Sequence, residues 1–244
     1  MVLSGPFFYD DPQVFSNYMS RRNSETSAND TLEKPILMEL LPPLENKDIL
    51  DLGCGEATLA AELLKAGAQS YLGLDGSANM VKLAQQELSG KKARVEQAFL
   101  ENWDYPTESF DCVISRLAFH YIEDIEALFA KIQTTLRKGG HFVFSVEHPV
   151  ITSHQISMKE GGARQDWLVD RYFHTGKREY PWLGAPILKY HRTVEDYYQA
   201  LRKSGFQILD LRESKPRPEL FQNRKLYERR MRVPLFLLLK AEKP

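Results

Sequence analysis

The run Ile49 to Ala60, ILDLGCGEATLA, joins an apolar strand-like segment that carries one acid, Asp51, to two close glycines and then to a helix-forming segment. From Lys47 onward such apolar runs alternate with helical patterns, which is the rhythm of βαβ units and a parallel sheet. Gly53 and Gly55 carry no Cβ, so the backbone can turn sharply there and come close to a ligand, while the helix behind offers free N–H groups. The chain is therefore committed to strand-turn-helix units. The rhythm continues, with strands predicted at Ile49 to Leu52, Ser70 to Leu74, Ala93 to Ala98, Phe110 to Ser115 and His141 to Glu147. Leu59, Leu63 and Leu64 give one helix face ending at Gly67, and Met80, Val81, Ala84 and Leu88 give a second ending near Gly90. A third helix is predicted from Ile122 to Leu136, stopping at Gly139-Gly140. A fourth spans Thr193 to Lys203, followed by strands at Gln207 to Leu211 and Val233 to Lys240.

The length of 244 residues, 43% of them hydrophobic, suffices for one α/β core without metals or disulfides, so a single domain over 1–244 is expected. A formal net charge of -1 supplies no overall field toward nucleic acid or membrane. Cys54 and Cys112 sit in apolar runs at no metal-ligand spacing and read as reduced thiols; no metal site is expected. The N-terminus has no basic-then-apolar leader, and Pro234 to Leu239 is too short to cross a bilayer, so a cytoplasmic protein, monomer or homodimer, is expected.

Two segments break the rhythm. Residues 1–34 carry Phe7, Phe8, Tyr9, Phe15 and Tyr18 ahead of a helix-start signal, Asp30-Thr31-Leu32-Glu33. Residues 149–192 are too long for an ordinary loop and are rich in aromatics, including Trp167, Tyr172, Trp182 and Tyr190. They read as an N-terminal cap and an aromatic lid over the carboxyl edge of the sheet, where open α/β folds bind ligands. The late basic stretch from Lys215 to Arg232 is interleaved with Glu219, Phe221, Leu226 and Glu228, and reads as a solvated amphipathic helix, with no nucleic-acid motif beside it.

The blocks ILDLGCGEATLA, YLGLDGSANMVKLA, PTESFDCVISRLAFHYIED and LRKGGHFVFS, in this order and spacing, resemble the class I S-adenosylmethionine-dependent methyltransferases of small-molecule type. The resemblance implies a three-layer Rossmann-like α/β sandwich with a seven-stranded, mainly parallel sheet and an antiparallel last strand. A dinucleotide site would favour a third glycine at Thr58 and would be repelled by an acid at Asp51, whereas a cationic amino group and sulfonium tolerate that acid. The resemblance implies that Asp51, with Gly53 and Gly55, holds the methionine moiety. Asp75, about twenty residues after the glycines, is placed to accept from the ribose hydroxyls. Gly76, Met80 and the Leu100 backbone would flank adenine. Phe99 stands where the family commonly has an Asp, which leaves adenine recognition open to Glu101 and Asn102.

The loop after the fourth core strand, Ser115 to Tyr121, lies where the family places residues beside the reacting methyl, with Ser115 read as a cofactor contact. Arg116 and His120 are the catalytic candidates, able to orient and deprotonate a phenol or amine. Tyr18, His148, Tyr172, Trp182 and His191 are the candidate contacts to a small, aromatic or apolar acceptor. Two other readings stay open: a non-catalytic module that binds S-adenosylmethionine, and an RNA methyltransferase.

Overall fold

The computed structural model describes residues 3–22, 27–90, 92–154 and 166–244; parts of both flanking segments, residues 1–2, 23–26 and 155–165, lie outside the described residues. In chain order the strands are β1 (Leu3–Ser4), β2 (Asp48–Leu52), β3 (Ser70–Asp75), β4 (Ala93–Gln97), β5 (Phe110–Arg116), β6 (Leu136–Glu147), β7 (Gly176–Trp182), β8 (Ala185–His191), β9 (Gln207–Glu213) and β10 (Phe236–Glu242). The helices are α1 (Pro6–Asp10), α2 (Pro12–Arg22), α3 (Lys34–Leu40), α4 (Ala60–Lys65), α5 (Ala78–Glu87), α6 (Ile125–Thr135), α7 (Pro149–Thr152), α8 (Val194–Lys203) and α9 (Arg224–Arg230).

Residue parity along the strands decides the layers, because successive side chains point to opposite faces. Leu50, Leu52, Leu72, Leu74, Phe142 and Phe144 pack on one face against α6 and α8. Ile49, Tyr71, Cys112, Ile114 and Val143 pack on the other against α3, α4 and α5. The result is three layers around a seven-stranded sheet of order β4-β3-β2-β5-β6-β10-β9. Strands β2 to β6 pair in parallel, and β10 runs antiparallel to both β6 and β9. The order reverses between β2 and β5, so the connections leaving their carboxyl ends diverge and open a crevice there.

Four local expectations change. The helix expected from Ile122 starts only at Ile125, after a separate 3₁₀ turn at Phe119–Tyr121, and the Asp124 side chain caps it by accepting from the Ala127 N–H at 2.9 Å. Gly139-Gly140 does not stop that helix but lies inside β6, where Gly139 donates to Lys243 O and Gly140 O accepts from the Lys243 N–H. The last strand begins at Phe236 rather than Val233, beyond Pro234, which has no N–H for a ladder. The Asp30–Glu33 signal does mark the start of helical structure, a π-helical turn over Asn29–Glu33 leading into α3, but Glu33 serves no cap and is fully buried.

The two flanking segments meet. β1 pairs in parallel with β8, which pairs with β7 in a hairpin. Its two-residue loop, Leu183-Gly184, has positive φ at both positions (52° and 86°), as a hairpin turn matched to strand twist requires. Phe8 and Val14 of the N-terminal segment share a separate buried cluster with Ile151, Tyr180, Leu183 and Ile187.

Candidate functional site

The turn after β2 is folded back on its neighbour: Gly53 and Cys54 both donate to Leu74 O, at 2.8 and 3.0 Å. Its two glycines have different physical reasons. Gly53 has φ 74°, and a Cβ there would stand 2.5 Å from the Ala118 Cβ of the loop after β5. Gly55 has φ 57°, and a Cβ there would meet nothing within 4 Å, so the backbone faces open space. That space is a cavity of about 870 Å³ at the carboxyl ends of β2, β3, β5 and β6.

Two carboxylates face it, Asp51 buried and Asp75 partly buried. Asp75, at the end of β3, accepts from the Gly55 and Ser77 N–H groups, both at 2.9 Å, which pins the carboxylate while leaving it further acceptor capacity. Burial raises its pKa and the two N–H donors oppose that rise. Asp51 accepts from the Tyr71 hydroxyl at 2.7 Å through Oδ2, but its buried Oδ1 has no hydrogen-bond partner. Burial pushes its pKa up to about 6, against the opposing Tyr71 hydrogen bond and the Arg116 charge. A buried, half-satisfied carboxylate is costly alone and is satisfied by a cationic ligand.

The N-terminal segment is fastened across the Asp75 corner. Asp10 accepts from Ser77 Oγ at 2.7 Å and from the Asn79 N–H at 3.1 Å, and Asn79 Nδ2 donates to Tyr9 O at 3.3 Å. A Cβ on Gly76 would lie 2.3 Å from Pro6 Cγ, so glycine is needed for this approach. Gly76, Met80 and Leu100 line the cavity, and Phe99 packs its ring on Phe7 with centroids 5.4 Å apart.

The loop after β5 is held by a buried network. Arg116 is bound by both oxygens of Glu33, with Nε at 3.2 Å from Oε1 and 3.0 Å from Oε2. Ser145 Oγ donates to Glu33 at 2.8 Å, and Leu117, at φ 55°, donates its N–H to Ser145 O at 3.0 Å. Burial disfavours the Arg116 charge, yet the Glu33 pair outweighs it and leaves the group more firmly protonated than usual. Arg116 lines the cavity but is committed to Glu33. His120 also lines it, fully buried; burial drives its pKa down to about 3. Its Nδ1 faces the Glu147 N–H at 3.5 Å, which puts the proton of the neutral ring on Nε2. The expected deprotonating role of the pair is opposed by this geometry: one group is permanently cationic, the other a weak base.

Farther along the cavity, the Tyr9 and Tyr121 hydroxyls share a 3.0 Å hydrogen bond, and Tyr9 packs edge-on to Tyr18. Glu147, ending β6, receives Lys189 Nζ at 2.7 Å, and that ammonium lies 5.2 Å from the Trp182 ring centre. Tyr18 and Trp182 are on the wall.

Four expected contacts are not. Ser115 is fully buried behind the wall, where its Oγ donates to Leu52 O at 2.8 Å and ties β5 to β2. His148 caps α7, accepting from the Val150 N–H at 3.2 Å, and its Nε2 meets Glu213 at 2.9 Å. His191 is enclosed between Thr152 Oγ1 at 2.8 Å and Tyr172 O at 2.9 Å. The Tyr172 hydroxyl accepts from the Val194 N–H at 3.2 Å, bracing α8. Each is held in structural hydrogen bonds away from the cavity.

Other wall residues went unread. Glu147 stands where Asp51 and Asp75 stand, at the carboxyl end of a parallel strand, and that position was a readable signal. Arg229 and Arg230, expected on a solvated helix, line the cavity at the end of α9. Only the tertiary path of the chain brings them there. No described helix is long and apolar enough to cross a membrane.

The geometry thus presents a carboxylate seeking a cation, a second fixed to accept from hydroxyls, and an open glycine turn between them. A methyltransferase-domain family model matches residues 50–144, which includes all three. A crystal structure of an S-adenosylmethionine-dependent methyltransferase from Mesorhizobium loti superposes with a TM-score of 0.78 at 33% identity, over 91% of this chain and 99% of that one. A Listeria monocytogenes protein described as an enzyme of the same kind gives 0.79 at 36% identity, over 87% and 96%. An uncharacterized Haemophilus influenzae protein is 32% identical over 84% of this chain and 85% of its own length. This chain belongs to the class I S-adenosylmethionine-dependent methyltransferases.

Proposed function

We propose that the methyl group goes to a small-molecule acceptor, aromatic or apolar in its body, bound beneath α1, α2 and the β7–β8 hairpin. The observation that carries this reading is the continuity of one cavity from Asp51 and Asp75 to Tyr18, Tyr121 and Trp182. Pockets of this size and partly aromatic lining suit small ligands.

When bound, S-adenosylmethionine supplies an electrophilic methyl on a sulfonium with a neutral thioether as leaving group. Asp51 Oδ1 would accept from its ammonium group, the Gly53–Gly55 backbone would lie along the methionine moiety, and Asp75 would accept from the ribose hydroxyls. Gly76, Met80 and Leu100 would border the adenine. Ser115 acts indirectly, by holding β5 against β2. The protein's contribution is proximity, alignment and exclusion of water, which an in-line displacement chiefly needs. Arg116 and Glu33 shape the loop; His120 offers a neutral Nε2–H donor to the acceptor rather than a base.

Calorimetry tests the donor end: S-adenosylmethionine and S-adenosylhomocysteine should bind and NAD should not. A metabolite panel read by S-adenosylhomocysteine release tests the rest. Turnover only on structured RNA, with no small acceptor, would overturn the reading.

A further inference from the structure

The cations of the cavity wall are not equivalent. Arg116 is neutralised by Glu33, and Lys189, packed behind the wall, is neutralised by Glu147. Arg229 is different: its Nε is buried without a hydrogen-bond partner, and among the described residues no carboxylate lies within ion-pair distance of it. It sits beside Arg230 at the end of α9, seven residues ahead of the first residue of β10, Phe236, which pairs with Glu147. Asp51 on β2 is level with Ile114 and Val143, so Glu147 on β6 lies two strands, roughly 10 Å, across the sheet from it and four residues farther toward the carboxyl edge. The arginines enter the cavity from the far side of that span. Of the wall carboxylates at this end, Glu147 receives Lys189 through one oxygen, Oε1, and Glu123 receives the Tyr190 hydroxyl at 3.0 Å. A half-buried guanidinium with an unused donor, in a cavity where Arg116 and Lys189 already have counter-charges, is matched by an anion, and its planar fork suits carboxylate or phosphate oxygens.

We propose that the methyl acceptor carries an anionic group, a carboxylate or a phosphate ester, that docks on Arg229 with Arg230 beside it. Its apolar body then lies toward Trp167 and Trp182 and its nucleophilic atom toward β5 and β6. This rests on reading the cavity as the site of methyl transfer to a small molecule.

The test is calorimetric titration of benzoate, phenyl phosphate and benzamide into the full chain, with and without saturating S-adenosylhomocysteine. At least one anion should bind about tenfold or more tightly than the neutral amide, the advantage expected of a charged hydrogen-bonded contact. Benzoate preference points to a carboxylate acceptor, and phenyl phosphate preference to a phosphate ester. Arg229→Ala should abolish the advantage without changing S-adenosylhomocysteine affinity or thermal unfolding, and Arg229→Lys should restore only part of it. Equal binding of all three probes, or an advantage that survives Arg229→Ala, would overturn the proposal. Failure of S-adenosylhomocysteine to bind would instead strike the donor-site reading, and the titrations without it would still decide the anion site.

Discussion

At one end of the cavity the polar groups come from the carboxyl ends of two adjacent strands, β2 and β3; at the other, the wall is assembled from α1, α2, β6, the β7–β8 hairpin and α9. The first end is built on two consecutive strands, and backbone sets most of its geometry: Gly55 and Ser77 orient Asp75, and Leu74 O anchors the glycine turn. The second is built of side chains from distant segments, held by the small sheet and by the Tyr180–Ile187 cluster. A donor end made by local backbone geometry suits a ligand common to a whole family. A far end made by tertiary assembly is free to differ.

The largest expected effect lies between the two ends. Glu33→Ala would leave Arg116, whose side chain is only 15% exposed, without its counter-charge. Unfolding by denaturant should show a loss of about 3–5 kcal/mol; a loss below about 1 kcal/mol would mean that the network does not hold the loop. Next, Asp51→Asn and Asp75→Ala should each weaken S-adenosylmethionine binding by about 1.5–3 kcal/mol, as for charged hydrogen bonds. Asp51→Asn should also raise the melting temperature of the ligand-free protein near neutral pH, because it removes a buried charge. A variant that loses both affinity and stability would show Asp51 to be structural.

The pH dependence follows from the same residue. Ligand-free Asp51 titrates near pH 6, whereas a cationic ligand requires the carboxylate. Affinity for S-adenosylmethionine should therefore be flat above about pH 7 and fall as pH drops through 6, approaching about tenfold per unit, or about 1.4 kcal/mol. The sign reverses for stability: the folded pKa is raised above its ordinary 3.8, so the Asp51 contribution is most favourable below that value and declines as pH rises through 6. Asp51→Asn should flatten this part of both profiles, and an unchanged affinity profile would reject the assignment. The smallest effect separates two aromatic residues of the insertion. Trp182→Ala should raise the KM for an acceptor about tenfold with cofactor affinity unchanged, whereas Tyr172→Ala should lower stability by about 1 kcal/mol with KM unmoved. Equal effects on KM would erase the distinction between wall and brace.

The legibility of the site follows the same division. That Asp51, Gly53, Gly55 and Asp75 come together on the cavity wall was readable because strand ends and turns are specified by residues adjacent in the chain. His148, His191 and Tyr172 misled because type and segment suggest chemistry, while only packing decides which way a ring points. Glu33 was hidden by a helix-start signal, and Arg229 by an amphipathic pattern that describes its helix correctly and its destination not at all.

What the sequence by itself determined is the layered α/β sheet, its glycine turn and the two carboxylates at its edge, since period and backbone chemistry are local. Only the tertiary structure decided that β1 and the β7–β8 hairpin share a sheet, that Glu33 finds Arg116, and that Arg229 reaches the cavity. These contacts join residues far apart in sequence, and burial and charge compensation select them only once the whole chain has packed.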